Sequence, residues 1–183
     1  MKKFILAAAL AVSNISAQAT TTLVINAGQE ELNSTTKANL YSVSLSKRNN
    51  NGVEFFGSAT RVVPVAKKFS SELRPEVGVG YATVMAGSTV YGQAFMGQRI
   101  LDSRPDANYH GVKVGVRTPI ANGWFTDVSY RYRDSNDLAW ENHTYVAGLG
   151  RAVTKSASIV AGFGKTTGDY SSQGVQVLLI TRY

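Results

Sequence analysis

The chain carries only two histidines, His110 and His143, the side chains best suited to exchange a proton near neutral pH. His143 follows the polar stretch SNDLAWEN and has Asp134, Asp137 and Glu141 close in sequence, a nominal acid–base cluster. His110 follows DSRPDANY, so the two imidazoles could meet if both segments were loops on one rim of a sheet. With no nucleophile fixed beside either ring, they read as polar residues in water. The stretch GFGKTTG (162–168) resembles a phosphate loop only at its end. That motif needs glycine five residues before the Gly-Lys pair, and Ile159 stands there instead. Without cysteine there is no thiol chemistry, no disulfide frame and no zinc–thiolate site. Asn33-Ser34-Thr35 and Asn142-His143-Thr144 match the glycosylation sequon and are given no weight. No catalysis, cofactor or metal is expected.

Charge is the remaining chemistry, and its spacing is informative. In GWFTDVSYRYRD (123–134), Trp124, Thr126, Val128, Tyr130 and Tyr132 alternate with Asp127, Ser129, Arg131 and Arg133. A period of two is an extended strand with one apolar and one charged face. The same alternation sets Leu73, Val77, Val79, Tyr81 and Met85 against Arg74 and Glu76, and Val112, Val114 and Val116 against Lys113 and Arg117. It recurs in SASIVAGFG (156–164) and in GVQVLLITRY (174–183), where Val175, Val177, Leu179, Thr181 and Tyr183 share a face opposite Arg182. Weaker strands are expected at 21–28, 38–47, 52–63, 89–101 and 142–152. In 89–101, Tyr91 and Phe95 compete with Val90, Ala94 and Met96 for the apolar face.

These elements make ten strands, or eight if 89–101 and the first segment are lost. Tight turns are expected at 48–51, 86–88, 119–122 and 153–155. Longer polar loops are expected at 29–37, 64–72, 102–107, 134–141 and 166–173. Short turns on one rim and longer loops on the other is the layout of a transmembrane up-and-down β-barrel. From Trp124 to Tyr132 a strand covers roughly 26 Å, and a tilt near 40° reduces this to about 20 Å of height. That is close to an apolar band bounded by aromatic girdles, here assigned to Tyr81, Trp124, Tyr130, Tyr132 and Tyr183. The opposite face then lines a lumen with Glu54, Arg74, Glu76, Lys113, Arg117, Asp127, Arg131, Arg133 and Arg182. Across the turn at 119–122, Asp127 is expected to face Lys113, in a register pairing 127 with 113 or 115.

The start of the chain fits export. Lys2 and Lys3 precede a nine-residue apolar run, Phe4–Val12, and Ala17-Gln18-Ala19 has the small-x-small pattern of a signal-peptide cleavage site. The run is too short to span a bilayer as a helix, so cleavage is expected after Ala19, with residues 20–183 forming one barrel domain. Removing Lys2 and Lys3 from the 19 basic residues leaves 17 against 12 acidic ones, a net +5. The charges are dispersed along strands, which argues against a nucleic-acid partner.

Signal peptide, amphipathic strands and a C-terminal strand ending in an aromatic resemble the small outer-membrane β-barrels of Gram-negative bacteria. The resemblance implies that outer-membrane lipid surrounds the chain and that the barrel assembly machinery reads its last strand. The matching positions are Val175, Val177, Leu179 and Tyr183, with tyrosine where phenylalanine is usual and Thr181 where an aromatic is common. Neither histidine has the Asp-x-His or His-Ser-Asn context of similar protease or lipase barrels. The expected role is structural or surface-interactive, with a lumen filled by ion pairs. The alternatives are a narrow anion-preferring pore, a lipid-modifying enzyme and a soluble periplasmic β-sandwich.

Overall fold

The computed structural model describes residues 19–33, 36–66, 70–101, 104–135 and 140–183. The expected signal peptide up to Gln18, the residue Asp137 and the Ser34-Thr35 part of one sequon lie outside the described residues. Ten strands follow in order: β1 (Thr20–Leu32), β2 (Thr36–Arg48), β3 (Val53–Pro64), β4 (Glu72–Met85) and β5 (Ser88–Leu101), then β6 (Arg104–Pro119), β7 (Trp124–Asp134), β8 (Asn142–Ala152), β9 (Ala157–Gly168) and β10 (Ser172–Arg182). Each strand pairs antiparallel with its sequence neighbours, and β1 pairs with β10, closing the sheet into a barrel. The eight-strand alternative and the two-sheet sandwich are both excluded by this topology.

The register fixes the barrel's shape. Cross-strand partners lead from Thr20 through Arg48, Glu54, Gly80, Gln93, Lys113, Arg131, Thr144, Thr166 and Ser172 back to β1 at Leu32, twelve residues from the start. A ten-strand barrel with that stagger has strands tilted by about 40° and a backbone radius of roughly 10 Å. Inward side chains therefore face one another across a narrow but real space.

The outside is apolar. Ile25, Val43, Leu45, Val79, Val112, Val114, Val128, Leu149, Ile159, Phe163 and Val177 are all exposed on it. Tyr81, Trp124 and Tyr183 lie toward the rim that holds the chain ends, while Tyr130, Tyr132 and Tyr145 lie toward the opposite rim. A surface this continuous in large apolar side chains is a lipid-facing surface rather than a wetted one. No helix among the described residues is long and apolar enough to cross a membrane, which says nothing of crossing by strands. A shallow outer concavity lined by Val90, Val114, Val128 and Tyr145 surrounds the outward Gly92, where a missing side chain leaves room for hydrocarbon.

The turn rim matches the expected pattern. Ala86 and Gly87, with φ of 49° and 79°, form a two-residue turn in which both central residues take positive φ, the hairpin geometry that follows strand twist. The other rim differs from expectation. The segments expected as loops at 29–37, 102–107 and 166–173 are mostly strand, because β1, β2, β5, β6, β9 and β10 run well past the lipid boundary. Above that boundary both faces of a strand meet water, so Gln29, Glu31 and Gln173 erase the alternation while the ladder continues through them. Residues 65–71 and 135–141 remain the longer connections.

In β5 the competition between faces is resolved by size. Tyr91 and Phe95 point inward, and Ala94 and Met96 point to lipid. The inward aromatics share one device: their cross-strand partners are glycines. Phe56 pairs with Gly78, Tyr91 with Gly115, Phe95 with Gly111, Tyr109 with Gly97 and Phe125 with Gly150. Each ring lies across its glycine so closely that a Cβ there would collide with it. The glycines thus make notches that let large rings lie flat against the wall of a narrow barrel.

Candidate functional site

The lumen is the site, and its charged arc is built on β2 to β7. Near the loop rim, Glu76 is the hub. It is ion-paired with Arg131, lies 3.7 Å from Arg133 Nε, and accepts hydrogen bonds from Tyr109 Oη (2.8 Å) and Ser58 Oγ (3.3 Å). One strand turn higher, Glu72 accepts from Arg74 and, through both oxygens, from Arg99 at 2.8 and 3.2 Å. Trp140 covers this network. Its ring meets Tyr109 edge-on at 4.9 Å and stacks with Tyr170 at 6.3 Å, and the guanidiniums of Arg99 and Arg74 lie 5.1 and 5.5 Å from its centroid. Glu72, Arg74, Glu76 and Trp140 are all buried.

Toward the turn rim the pairs are equally close but more exposed. Arg48 donates to Glu54, and Gln93 reaches the same carboxylate at 3.4 Å. Arg117 Nε donates to Asp127 Oδ2 at 2.8 Å, and Tyr91 Oη donates to Oδ1 at 2.9 Å. The Arg48 and Arg117 side chains are 41% and 28% exposed, against 24% for Arg99 and 7% for Arg74 at the loop rim, so the lumen is the more open at the turn rim. Arg182 lies at the same mouth, facing the like charges of Arg117 and Arg48. Free space of about 680 Å³ extends from Thr20 and Arg182 up to Thr166 and Tyr170.

The expected Asp127–Lys113 partnership is not formed. Trp124 N–H donates to Ala121 O at 2.8 Å and Ile120 N–H to Trp124 O at 2.9 Å, with Asn122 and Gly123 at positive φ. This tight turn at 120–123 pairs Pro119 with Phe125, which places Asp127 opposite Arg117 and Lys113 opposite Arg131. Registers two or four residues apart keep every side chain on the same face, so alternation could not distinguish them. Asp127→Ala is therefore expected to destabilise the barrel in detergent by about 1–3 kcal/mol through loss of the Arg117 and Tyr91 bonds. Adding Arg117→Ala should recover part of the loss, while adding Lys113→Ala should not. A urea titration of the two double variants separates these outcomes.

The lumen-facing residues anticipated from alternation are joined by others it missed. Arg48 and Glu72 fell into segments read as turn and loop, Arg99 into the ambiguous strand, and Trp140 and Tyr170 into polar loops. A basic or acidic residue one step beyond an alternating run, in phase with its charged face, was the available signal for Arg48 and Glu72. Nothing in the pattern marked Trp140.

The histidines are elsewhere. His110 is exposed on the outside of β6 and pairs in register with Asp134, while His143 lies on the outside of β8. Tyr130 Oη and His143 Nδ1 are 2.7 Å apart, and Glu141 lies 3.5 Å from Nε2. β7 separates the two imidazoles, so they form no common centre. The stretch 162–168 lies wholly within β9. The C-terminal positions Val175, Val177, Leu179 and Tyr183 are exposed on the outer face.

No family model and no curated protein matches the sequence. Among solved structures, the chain is similar to Neisserial surface protein A (NspA), at 11% identity and a TM-score of 0.45, with 91% of this chain and 98% of that one covered. It is also similar to the beta domain of the Bordetella autotransporter BrkA, at 11% identity and 0.48, covering 90% and 99%. A third is the KdgM porin, at 8% identity and 0.49, covering 85% and 97%.

Proposed function

We propose that the protein is an integral outer-membrane β-barrel with a structural or surface-interaction role, closed on its loop-rim side and without catalytic activity. The observation that carries this reading is the buried Glu72–Glu76 network under Trp140. Five arginines (Arg74, Arg99, Arg131 and Arg133 inside it, with Arg117 below) are held by three carboxylates and by ring faces, an arrangement that braces the wall. The apolar exterior supports the membrane setting. The short turns and both chain ends at one rim support an orientation with that rim toward the periplasm. In this reading Tyr81, Trp124, Tyr130, Tyr132 and Tyr183 anchor the barrel at the two interfaces. Val175, Val177, Leu179 and Tyr183 present the last strand to the assembly machinery, and outer-membrane lipid is the constant partner. The export signal ends at Ala19.

A narrow anion-preferring pore is the second reading, favoured by the lumenal space and by the excess of basic over acidic residues facing it. Planar-bilayer recording decides between them. The closed barrel should give no stable unitary steps, whereas reproducible steps with a reversal potential set by the anion would establish the pore.

A further inference from the structure

The lumen has two unlike walls. Facing the charged arc, across the free space, are Val24, Val146, Val160, Leu178 and Ile180 on β1, β8, β9 and β10. Val160 and Ile180 are buried with Phe125, and Val24 and Leu178 pack against them. These side chains gain nothing from lipid, since they point away from it. They do not brace an ion pair either. On the other wall, Lys113 has no carboxylate within salt-bridge distance among the described residues; its ammonium lies 5.5 Å from the centroid of Tyr91 and near the like charges of Arg131 and Arg117, and the carboxylates that act on it from further off, Asp127 and Glu76, are already paired with those arginines. Arg182, at the mouth, is likewise without a carboxylate partner among them. A cation held inside a protein without a carboxylate paired to it is costly unless water or a ligand supplies the missing partner.

We propose that the turn-rim half of the lumen is a binding chamber for a small amphipathic carboxylate. The carboxylate group is held by Lys113, with Arg182 drawing it in at the mouth, and its apolar body lies on the Val24–Val160–Leu178–Ile180 wall. The lumen's free space is about 680 Å³ in all, and the chamber takes its turn-rim part; small-molecule sites are likewise concave and mostly apolar with a few placed polar groups. Entry is from the turn rim, where Arg48 and Arg117 are partly exposed, and the loop-rim network forms the floor. The chamber is separate from the question of conductance, because a barrel that conducts can still hold the ligand.

The test uses the full barrel folded in lipid nanodiscs, titrated with octanoate and with 2-naphthoate by calorimetry. Octanol and acetate serve as controls, each lacking one half of the chemistry, and empty nanodiscs measure partition into lipid. At least one of the two carboxylates should bind saturably with one site per barrel. Octanoate alone would identify an aliphatic acid as the natural class, and naphthoate alone an aromatic one. Lys113→Met should weaken binding at least tenfold while the barrel keeps its heat-modifiable migration on gels. Leu178→Gln, on the other wall, should weaken the carboxylate without creating acetate binding, and it serves as the test if Lys113→Met does not fold. Equal binding of octanol and octanoate, or wild-type affinity in the variants, would overturn the proposal. So would titrations indistinguishable from empty nanodiscs for both acids.

Discussion

Glu76→Ala is expected to destabilise the barrel by about 3–5 kcal/mol, because it strips the counter-charge from a buried cationic cluster rather than deleting one contact. The Glu76 carboxylate is only 4% exposed, and Arg131, Arg133, Tyr109 and Ser58 all converge on it. Without it, two guanidiniums and the nearby Lys113 would face one another in a confined space. Glu76→Gln should be less severe, since the amide oxygen still accepts from Tyr109 while the charge is lost. The decisive comparison is Glu76→Ala combined with Arg131→Met. If the penalty is an uncompensated charge, removing a neighbouring cation should restore part of the stability even though another side chain has been deleted. Urea unfolding in lipid vesicles, read by tryptophan fluorescence and heat-modifiable migration, gives the cycle. Purely additive losses would mean that Glu76 acts through packing alone.

The contrast between Glu76 and Glu72 shows what the sequence makes legible. Glu76 lies inside a run of alternating residues, Leu73 to Met85, in which every large apolar side chain except Val84, beside the turn, falls on the opposite face. The barrel's lipid contact imposes that alternation, so strand, face and inward direction can all be read from it. Glu72 lies one step beyond, where the outer face has left hydrocarbon and polar residues are tolerated on both sides. The period disappears although the hydrogen-bonded ladder does not. The same loss makes the alternation in β1, β6 and β9 shorter than the strands themselves, and makes the loop rim more irregular in sequence than in structure. Register escaped for a different reason. The Arg117–Asp127 pair depends on the turn at 120–123, and shifts by even numbers of residues leave the face pattern untouched. Trp140 escaped for a third reason. It reaches the lumen from a connection between strands, with no neighbouring alternation to give its direction. What a membrane barrel writes into its sequence is thus the depth over which it meets lipid; pairing across the lumen and the cover above it are set by turns and loops.

That depth is directly testable at Val128. It is 56% exposed on the outer face, with Val116 and Ala147 as its register partners on either side. Trp124 stands four residues below it and Tyr132 four above, so it lies at the middle of the apolar band. Val128→Arg should cost about 2–4 kcal/mol in lipid vesicles, the penalty for an arginine near the bilayer midplane. The cost is depth-dependent and falls to about 0–1 kcal/mol near the interfaces. Thr167→Arg, on the outer side of β9 close to its loop-rim end, should therefore be nearly silent. Val128→Leu should also be nearly silent, since it keeps the surface apolar. The three variants carry the same backbone and differ only in what the outer face presents and at what height. A steep loss confined to Val128→Arg locates hydrocarbon at mid-strand. If Val128→Arg were as well tolerated as Thr167→Arg, water rather than lipid would be covering the apolar face, and the membrane assignment would fall with it.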